Sequence, residues 1–291
     1  MGGGRGYMYR LPDSRRFKNR VMLLIIIAVS ILYVTPLISI IYTAVEKGGT
    51  TLVEAGLSFL TDLPPTPLSS GAGGIAPALV GSLLASILAI LISTPVAFLM
   101  AFYVTEFPRH SLSRVCEVVV RSFSGVPSIV VSMFVYSTVV VSMGRQSLLA
   151  GSLSLSIVTL PYAYVYFTSA FRSIPESLRE AAMSLGMNRA GALIHVYVGV
   201  LRGSIVTGLL MSYVRAFGDT APLLFTMGFL MNAVFAGVLQ QSNAIPLMIF
   251  VYALSPYENF HRVAWGATLV LLLIYLTLFT VSRILVRGVR L

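Results

Sequence analysis

The sequence predicts an all-α, polytopic membrane protein with six transmembrane helices. Of its 291 residues, 57% are hydrophobic and 10% are charged, whereas a soluble domain carries about 25% charged residues. Several uncharged stretches are long enough to cross a bilayer, which takes about 20 apolar residues. The net charge of +10 does not indicate nucleic-acid binding, because the 20 basic residues are spread through loops. The single cysteine, Cys116, excludes an internal disulfide.

In the first quarter of the chain, the sequence predicts a tail, one helix and a connector. Residues 1–20 form a basic tail, and the uncharged run 21–45 is too long for the apolar core of a cleavable signal. We therefore expect the run to remain in the protein as the first transmembrane helix. Residues 46–74 contain DLPPTPLSSGAGG, which is typical of a loop, and we interpret them as an external connector.

Residues 75–285 are predicted to form the main transmembrane domain. Long apolar runs place spans at 75–104, 122–144, 146–171, 203–229 and 263–282, and the mixed-charge segment 106–121 is predicted to be a loop. Segment 230–257 is also uncharged, but Gln240-Gln241-Ser242-Asn243 interrupts it.

The distribution of basic residues predicts the topology. With six spans, the tails 1–20 and 286–291 share one side with the loops 105–121 and 171–203, and these segments hold most of the arginines and lysines. The positive-inside rule then places both termini in the cytoplasm of a cell-membrane protein. A seventh span at 230–257 would move the basic C-terminal end outside, so we expect that segment to be external or re-entrant.

The predicted cytoplasmic loop, 171–203, has the pattern of two short helices. Ser173 and Glu176 have the spacing of a capping box, Gly186 suits a helix end, and Asn188 suits the cap of a second helix. Small residues on the first helix would let another protein's backbone approach closely. From the residues alone, an amphipathic helix resting on lipid headgroups fits equally well.

One motif in this loop resembles a known family. Glu180-Ala181-Ala182, followed after three residues by Gly186, resembles the EAA motif of the binding-protein-dependent ABC importer permeases. The resemblance implies that this helix docks on an ATPase subunit and couples its closure to the membrane spans. The chain departs from the family pattern at Val198-Gly199, where a Leu-Pro pair is usual.

The predicted span 203–229 contains an arginine and an aspartate. Arg215 and Asp219 are four residues apart, so on a helix they would share a face and pair. Each costs about 2.5–3.5 kcal/mol at the centre of a span on insertion scales, which implies that both face protein or water. Two interpretations remain: the pair fixes helix packing, or Arg215 lines an anion path, where its planar fork suits phosphate oxygens.

The stretch around this pair sharpens the resemblance. Residues 215–225 read RAFGDTAPLLF and resemble the R-A-x-G-E-T-A-P-L-L-F stretch of PstA-type permeases of phosphate ABC importers, with Asp219 in place of the glutamate. The sister PstC-type permeases usually lack the A-P-L-L part. The similarity covers about residues 74–285 and implies a type I ABC importer permease architecture, with a substrate path at Arg215, Asp219 and Thr220.

The resemblance also implies partners and a function. A permease of this kind forms the path for inorganic phosphate with a second, PstC-like permease, two PstB-like ATPases and an external PstS-like phosphate-binding protein. We expect a non-catalytic subunit without metal or cofactor, with ATP used by the ATPases, because the chain has no G-x-x-x-x-G-K-[ST] motif. A permease for sulfate or molybdate and a PstC-like sister permease are the alternatives. An intramembrane enzyme is disfavoured, since Asp219 is the only acid in the predicted spans.

Overall fold

The computed structural model describes residues 13–69, 71 and 73–287, and over these residues the chain is helical, without a strand. Four of the described helices are long and apolar enough to cross a membrane, and the number of spans is six when each of two sharply bent helix pairs counts as one. The chain falls into two compact units that divide between Glu46 and Lys47. Much of the predicted tail 1–20 and of the tail 286–291 lies outside the described residues.

The first helix is longer than the sequence predicts. Helix α1 runs from Asp13 to Ala55, so the expectation of a loop from residue 46 onward is wrong for 46–55. The last turns of α1 lie in the second unit and bind its C-terminal helix there: Thr51 Oγ1 donates to the Arg262 carbonyl at 3.2 Å, and Glu54 pairs with Arg262. These contacts stabilise the helical conformation of a segment that is polar and contains glycine, a composition that favours a loop.

The remaining helices complete the second unit. In chain order they are α2 (Ser58–Thr61), α3 (Ala76–Glu106), α4 (Ser111–Gly125), α5 (Ser128–Met143), α6 (Leu148–Arg172), α7 (Glu176–Ser184), α8 (Arg189–Val200), α9 (Arg202–Phe217), α10 (Ile245–Ala253) and α11 (Glu258–Arg287). Helices α5 and α8 each contain a π-helical stretch, Tyr136–Val140 and Leu193–Tyr197.

Helices α3 and α6 run parallel at the centre of this unit and define its two ends. Phe98 of α3 packs against Phe167 and Phe171 of α6, and we call this the α7 end because α7 follows it. At the opposite end, the connector end, the Ser147 amide donates to the Thr226 carbonyl at 3.0 Å. There the Ile245 amide also donates to Ser82 Oγ of α3 at 2.8 Å. Residues 218–244 therefore close the connector end of the bundle.

Two predicted boundaries are wrong, and both errors lie at proline and glycine. Residues 106–121 are not a loop, because most of them belong to α4, whose Val120 is buried in the core. Helix α4 meets α5 at a bend of 103°, at Val126-Pro127. Proline has no amide hydrogen to continue a helix. The predicted span 203–229 also ends early, at Phe217, since Gly218 and Pro222 follow.

Segment 230–257 contains one short helix. Helix α10 has nine residues, far fewer than the about 20 that a bilayer requires, and the residues before it form turns at the connector end. The segment is accordingly a non-spanning element of the structure.

Candidate functional site

Arg215 and Asp219 pair at the point where α9 ends. Arg215 lies in the last turn of the helix, and its Nη2 is 3.0 Å from Asp219 Oδ2. The predicted pair therefore forms, but not on one helix face, because Asp219 lies beyond the helix. The Asp219 side chain is 10% exposed and that of Arg215 is 41% exposed, so the carboxylate lies inside the protein while the guanidinium reaches the surface.

The turn that carries Asp219 is held from two helices. The hydroxyl of Tyr275, on α11, occupies the place where a Cβ on Gly218 would lie, so any larger residue at 218 would require Tyr275 or the turn to move. On the other side, the Pro222 carbonyl accepts from Ser132 Oγ of α5 at 3.0 Å and from Thr226 Oγ1 at 2.7 Å. Thr220 lies within this turn and is half-buried. The carboxylate is therefore placed by packing rather than by helix geometry.

The Asp219 carboxylate is under-satisfied. Its Oδ2 has no aligned hydrogen bond within the described part of the chain, so the 3.0 Å contact with Arg215 is a charge contact. A loosely aligned pair leaves the donors of the guanidinium available to another oxygen ligand. An arginine has five such donors in a planar fork.

An aromatic ring completes the surroundings of Arg215. Its Cζ lies 5.0 Å from the centroid of the Tyr162 ring on α6, within the range of a cation–π contact. Tyr162 belongs to an exposed stripe along α6, defined by every third or fourth residue: Tyr162, Val165, Tyr166, Ser169 and Arg172. The sequence did not indicate Tyr162, because its partner is distant along the chain.

The predicted coupling residues come together on α7 and the turn after it. Glu180 and Ala181 are exposed, and so is Gly186, which has the left-handed φ of 78° expected at a helix end. Ala182 points the other way and is buried in the core beneath. Three of the four residues therefore form a surface, and the fourth anchors it.

Of the two N-terminal caps predicted in this loop, one is confirmed. Asn188 caps α8 as predicted, since its Oδ1 accepts from the Gly191 amide at 2.7 Å. The prediction for Ser173 is wrong: Pro175 flanks α7, and Ser173 Oγ donates to the Ala170 carbonyl at 2.7 Å instead. Proline at 175 holds the extended backbone that precedes a helix, so the helix starts later than the capping-box spacing suggests.

A buried carboxylate that the sequence did not single out connects this surface to the bundle. Glu106, at the end of α3, has a side chain that is 3% exposed and pairs with Arg179 of α7 and with Arg189 of α8. Arg179 Nη2 also donates to the Phe171 carbonyl at the end of α6, at 2.7 Å. We call Glu106, Arg179 and Arg189 the Glu106 cluster; it joins α7 and α8 to both central helices. The sequence offered one signal for Glu106: it is a single acidic residue at the end of an apolar run, where a buried charge would require a partner.

Over the described ranges, no group of three or more His, Cys, Asp and Glu side chains could hold a metal ion.

The chain resembles known transporter components in sequence. The family described as "Binding-protein-dependent transport system inner membrane component" matches residues 93–290. The probable phosphate transport system permease protein PstA of Methanocaldococcus jannaschii is 38% identical over 269 residues, which cover 92% of this chain and 94% of that protein. The phosphate transport system permease protein PstA of Yersinia pestis is 33% identical over 273 residues, covering 93% and 90%.

Solved structures show a related fold. A bacterial ABC transporter involved in the import of the acidic polysaccharide alginate aligns with a TM-score of 0.65 at 14% identity, covering 96% of this chain and 98% of that chain. The inward-facing MetNI methionine ABC transporter aligns with a TM-score of 0.60 at 18% identity, covering 75% and 95%. At these identities the likeness concerns the fold.

Proposed function

This chain belongs to the family of binding-protein-dependent transport system inner membrane components, and we propose that it is a PstA-type permease subunit that imports phosphate. It is a multi-pass membrane protein with a transport role, and the predicted all-α ABC importer permease architecture is confirmed. The PstA relatives, at 33–38% identity over nearly the whole chain, favour phosphate over sulfate or molybdate.

The placement of Arg215 is the observation that carries the proposal. A guanidinium that lies against Tyr162 on one side and is offset by Asp219 on the other is pre-oriented for an oxyanion. An unpaired anion is strongly disfavoured in a passage of low dielectric constant, and a planar cationic fork lowers that barrier. Because Asp219 competes for the same donors, the anion is bound weakly enough to leave, and Thr220 follows on the same turn.

The coupling surface is formed by Glu180, Ala181 and Gly186, with Ala182 as its anchor. We assign to it the docking of an ATPase subunit, whose closure pulls on α7. The Glu106 cluster supports this assignment, because it connects α7 directly to the ends of α3 and α6. A pull on α7 would thus reach the two central helices without passing through a flexible loop.

The proposed assembly follows from the family. This chain would pair with a PstC-like permease, two PstB-like ATPases that bind and hydrolyse ATP, and an external PstS-like binding protein, with no cofactor bound by this chain itself. The basic segments 105–121 and 171–203 lie at the α7 end, and we infer from the positive-inside rule that this end faces the cytoplasm. The cytoplasmic location of both termini remains a prediction from the distribution of basic residues along the sequence.

An uptake experiment tests this function. Vesicles that contain this chain, its candidate permease and ATPase partners and the binding protein are given labelled phosphate and ATP, with unlabelled phosphate, sulfate and molybdate as competitors. The proposal expects ATP-dependent uptake that only unlabelled phosphate suppresses. Suppression by sulfate or molybdate would overturn the substrate assignment. ATPase that fails to co-purify with the chain would overturn the coupling assignment.

A further inference from the structure

A polar cavity lies between α4 and α6 near the α7 end. Its volume is 380 Å³, and its polar lining consists of Glu117, Arg121 and Ser124 from α4 and Tyr164, Thr168, Ser169 and Arg172 from α6. Two guanidinium groups and four hydroxyl groups therefore line a common space that also contains one carboxylate.

The carboxylate does not satisfy the two arginines. Glu117 lies 3.7 Å from Arg121 Nη2 and 4.0 Å from Arg172 Nη2, whereas charge-assisted N–H···O bonds measure about 2.7–2.9 Å. Both arginine side chains are largely exposed, and two positive charges face one negative charge. The guanidinium donors of the cavity are thus open to an added anion, which would replace Glu117 between them.

A buried hydroxyl supports the same conclusion. Thr168 is 7% exposed, and within the described ranges its Oγ1 has no well-aligned hydrogen bond; the neighbouring Tyr164 hydroxyl is its nearest side-chain partner. Threonine in a helix usually donates to the carbonyl four residues earlier, as Thr105 does. A buried hydroxyl without an aligned partner is costly, and a charged oxygen ligand in the cavity would provide a stronger acceptor than the Tyr164 hydroxyl.

The cavity lies on the same face of α6 as Arg215. Tyr162, which contacts Arg215, and Arg172 are the two ends of the exposed stripe, and ten helical residues span about 15 Å. Both residues follow Pro161, so the intervening helix is continuous. A solute that leaves Arg215 toward the α7 end would meet Ser169 and then Arg172.

We propose that this cavity is a second binding site for a tetrahedral oxyanion of the phosphate class, between Arg215 and the α7 end. The inference rests on the proposed function, since phosphate in transit is the expected occupant. Glu117 fills the place between the two arginines when no anion is bound, which keeps the site from holding two unpaired cations. The phosphate group of a lipid headgroup has the same chemistry, and the test separates the two sources.

Site-specific labelling provides the test. In the assembled transporter in phosphatidylcholine nanodiscs, Cys116 is replaced by alanine, Ser169 by cysteine, and the new thiol is reacted with a negatively charged methanethiosulfonate. Inorganic phosphate should slow this reaction, and Thr168→Val or Arg172→Gln should raise the half-protecting phosphate concentration about tenfold. Thr159→Val is the matched control, because it removes a buried, unpaired hydroxyl from the same helix outside the cavity; it should leave the protection unchanged.

A second matched pair tests the charge. Arg121→Gln should weaken the protection as Arg172→Gln does, whereas Arg114→Gln, two turns earlier on α4 and outside the cavity lining, should not. Equal effects of both substitutions would overturn the site in favour of a general surface potential.

The outcomes separate the site from the function. Phosphate protection in a complex that fails to import phosphate would support the site and reject the proposed function. Import without protection by phosphate, either in phosphatidylcholine or in phosphatidylglycerol nanodiscs, would reject the site and leave the function intact. Protection by phosphatidylglycerol alone would assign the cavity to a headgroup and overturn its place on the phosphate path.

Discussion

Replacing Glu106 with glutamine should loosen the coupling helix while the bundle stays folded. Removing one partner of a buried ion pair costs about 3–5 kcal/mol, but two features reduce this figure here. Arg189 is 47% exposed and can turn to water, and glutamine still accepts one hydrogen bond from Arg179. We expect a local destabilisation of about 2 kcal/mol, which corresponds to about a 30-fold rise in the open population of α7 and α8.

Hydrogen exchange over residues 176–200 measures this opening directly. In the assembled transporter, the phosphate moved per ATP hydrolysed should fall in the same variant, because α7 would move without carrying α3 and α6 with it. Glu176→Gln is the matched control: it removes the other carboxylate beside Arg179, 3.8 Å from its Nε, but that side chain is 79% exposed. An exposed pair contributes about 0–1 kcal/mol, so this variant should exchange as the unmodified protein does.

Comparing the two variants shows whether the buried Glu106 carboxylate holds the coupling helix. If Glu106→Gln and Glu176→Gln exchange at the same rate over residues 176–200, then the buried carboxylate does not hold the coupling helix. If exchange rises but coupling is intact, the Glu106 cluster stabilises the loop without transmitting movement.

Three further predictions test the two sites. Arg215→Gln should abolish phosphate uptake without loss of assembly, because the anion loses its cation; unchanged uptake in an assembled complex would reject the path. Gly186→Leu forces a side chain into a left-handed conformation at about 1–2 kcal/mol and adds bulk to the docking surface, so ATPase co-purification should fall. Asparagine tolerates that conformation, so Gly186→Asn should retain more of the ATPase than Gly186→Leu does. Equal retention of ATPase by both variants would speak against docking there. Gly218→Ala should lower uptake by displacing the Asp219 turn from the Tyr275 hydroxyl, and adding Tyr275→Phe should restore part of it; no loss in the single variant would show that the turn tolerates movement.

The sequence by itself determined the features that depend on neighbouring residues. Apolar runs longer than a bilayer core indicated the fold class, because burial of the backbone in lipid leaves helices as the available structure. Gly186 was predicted to end a short helix in the loop, and the structure has that helix and a left-handed φ of 78° at Gly186. The four-residue spacing of Arg215 and Asp219 predicted their contact. The roles of these residues in the path and in coupling stay predictions.

The tertiary structure decided what depends on contacts between distant parts of the chain. Hydropathy alone did not end α9 at Phe217, and the placement of the turn after it depends on contacts with Tyr275 of α11 and Ser132 of α5. Hydropathy also could not predict that residues 46–55 are helical, because contacts with Arg262 of α11 stabilise that part of the helix. Glu106 was an ordinary acid at the end of an apolar run until Arg179 and Arg189 were placed around it. Spacing along a helix fixes which side chains are neighbours within a few residues, whereas the partner of a buried charge is chosen by how the helices pack.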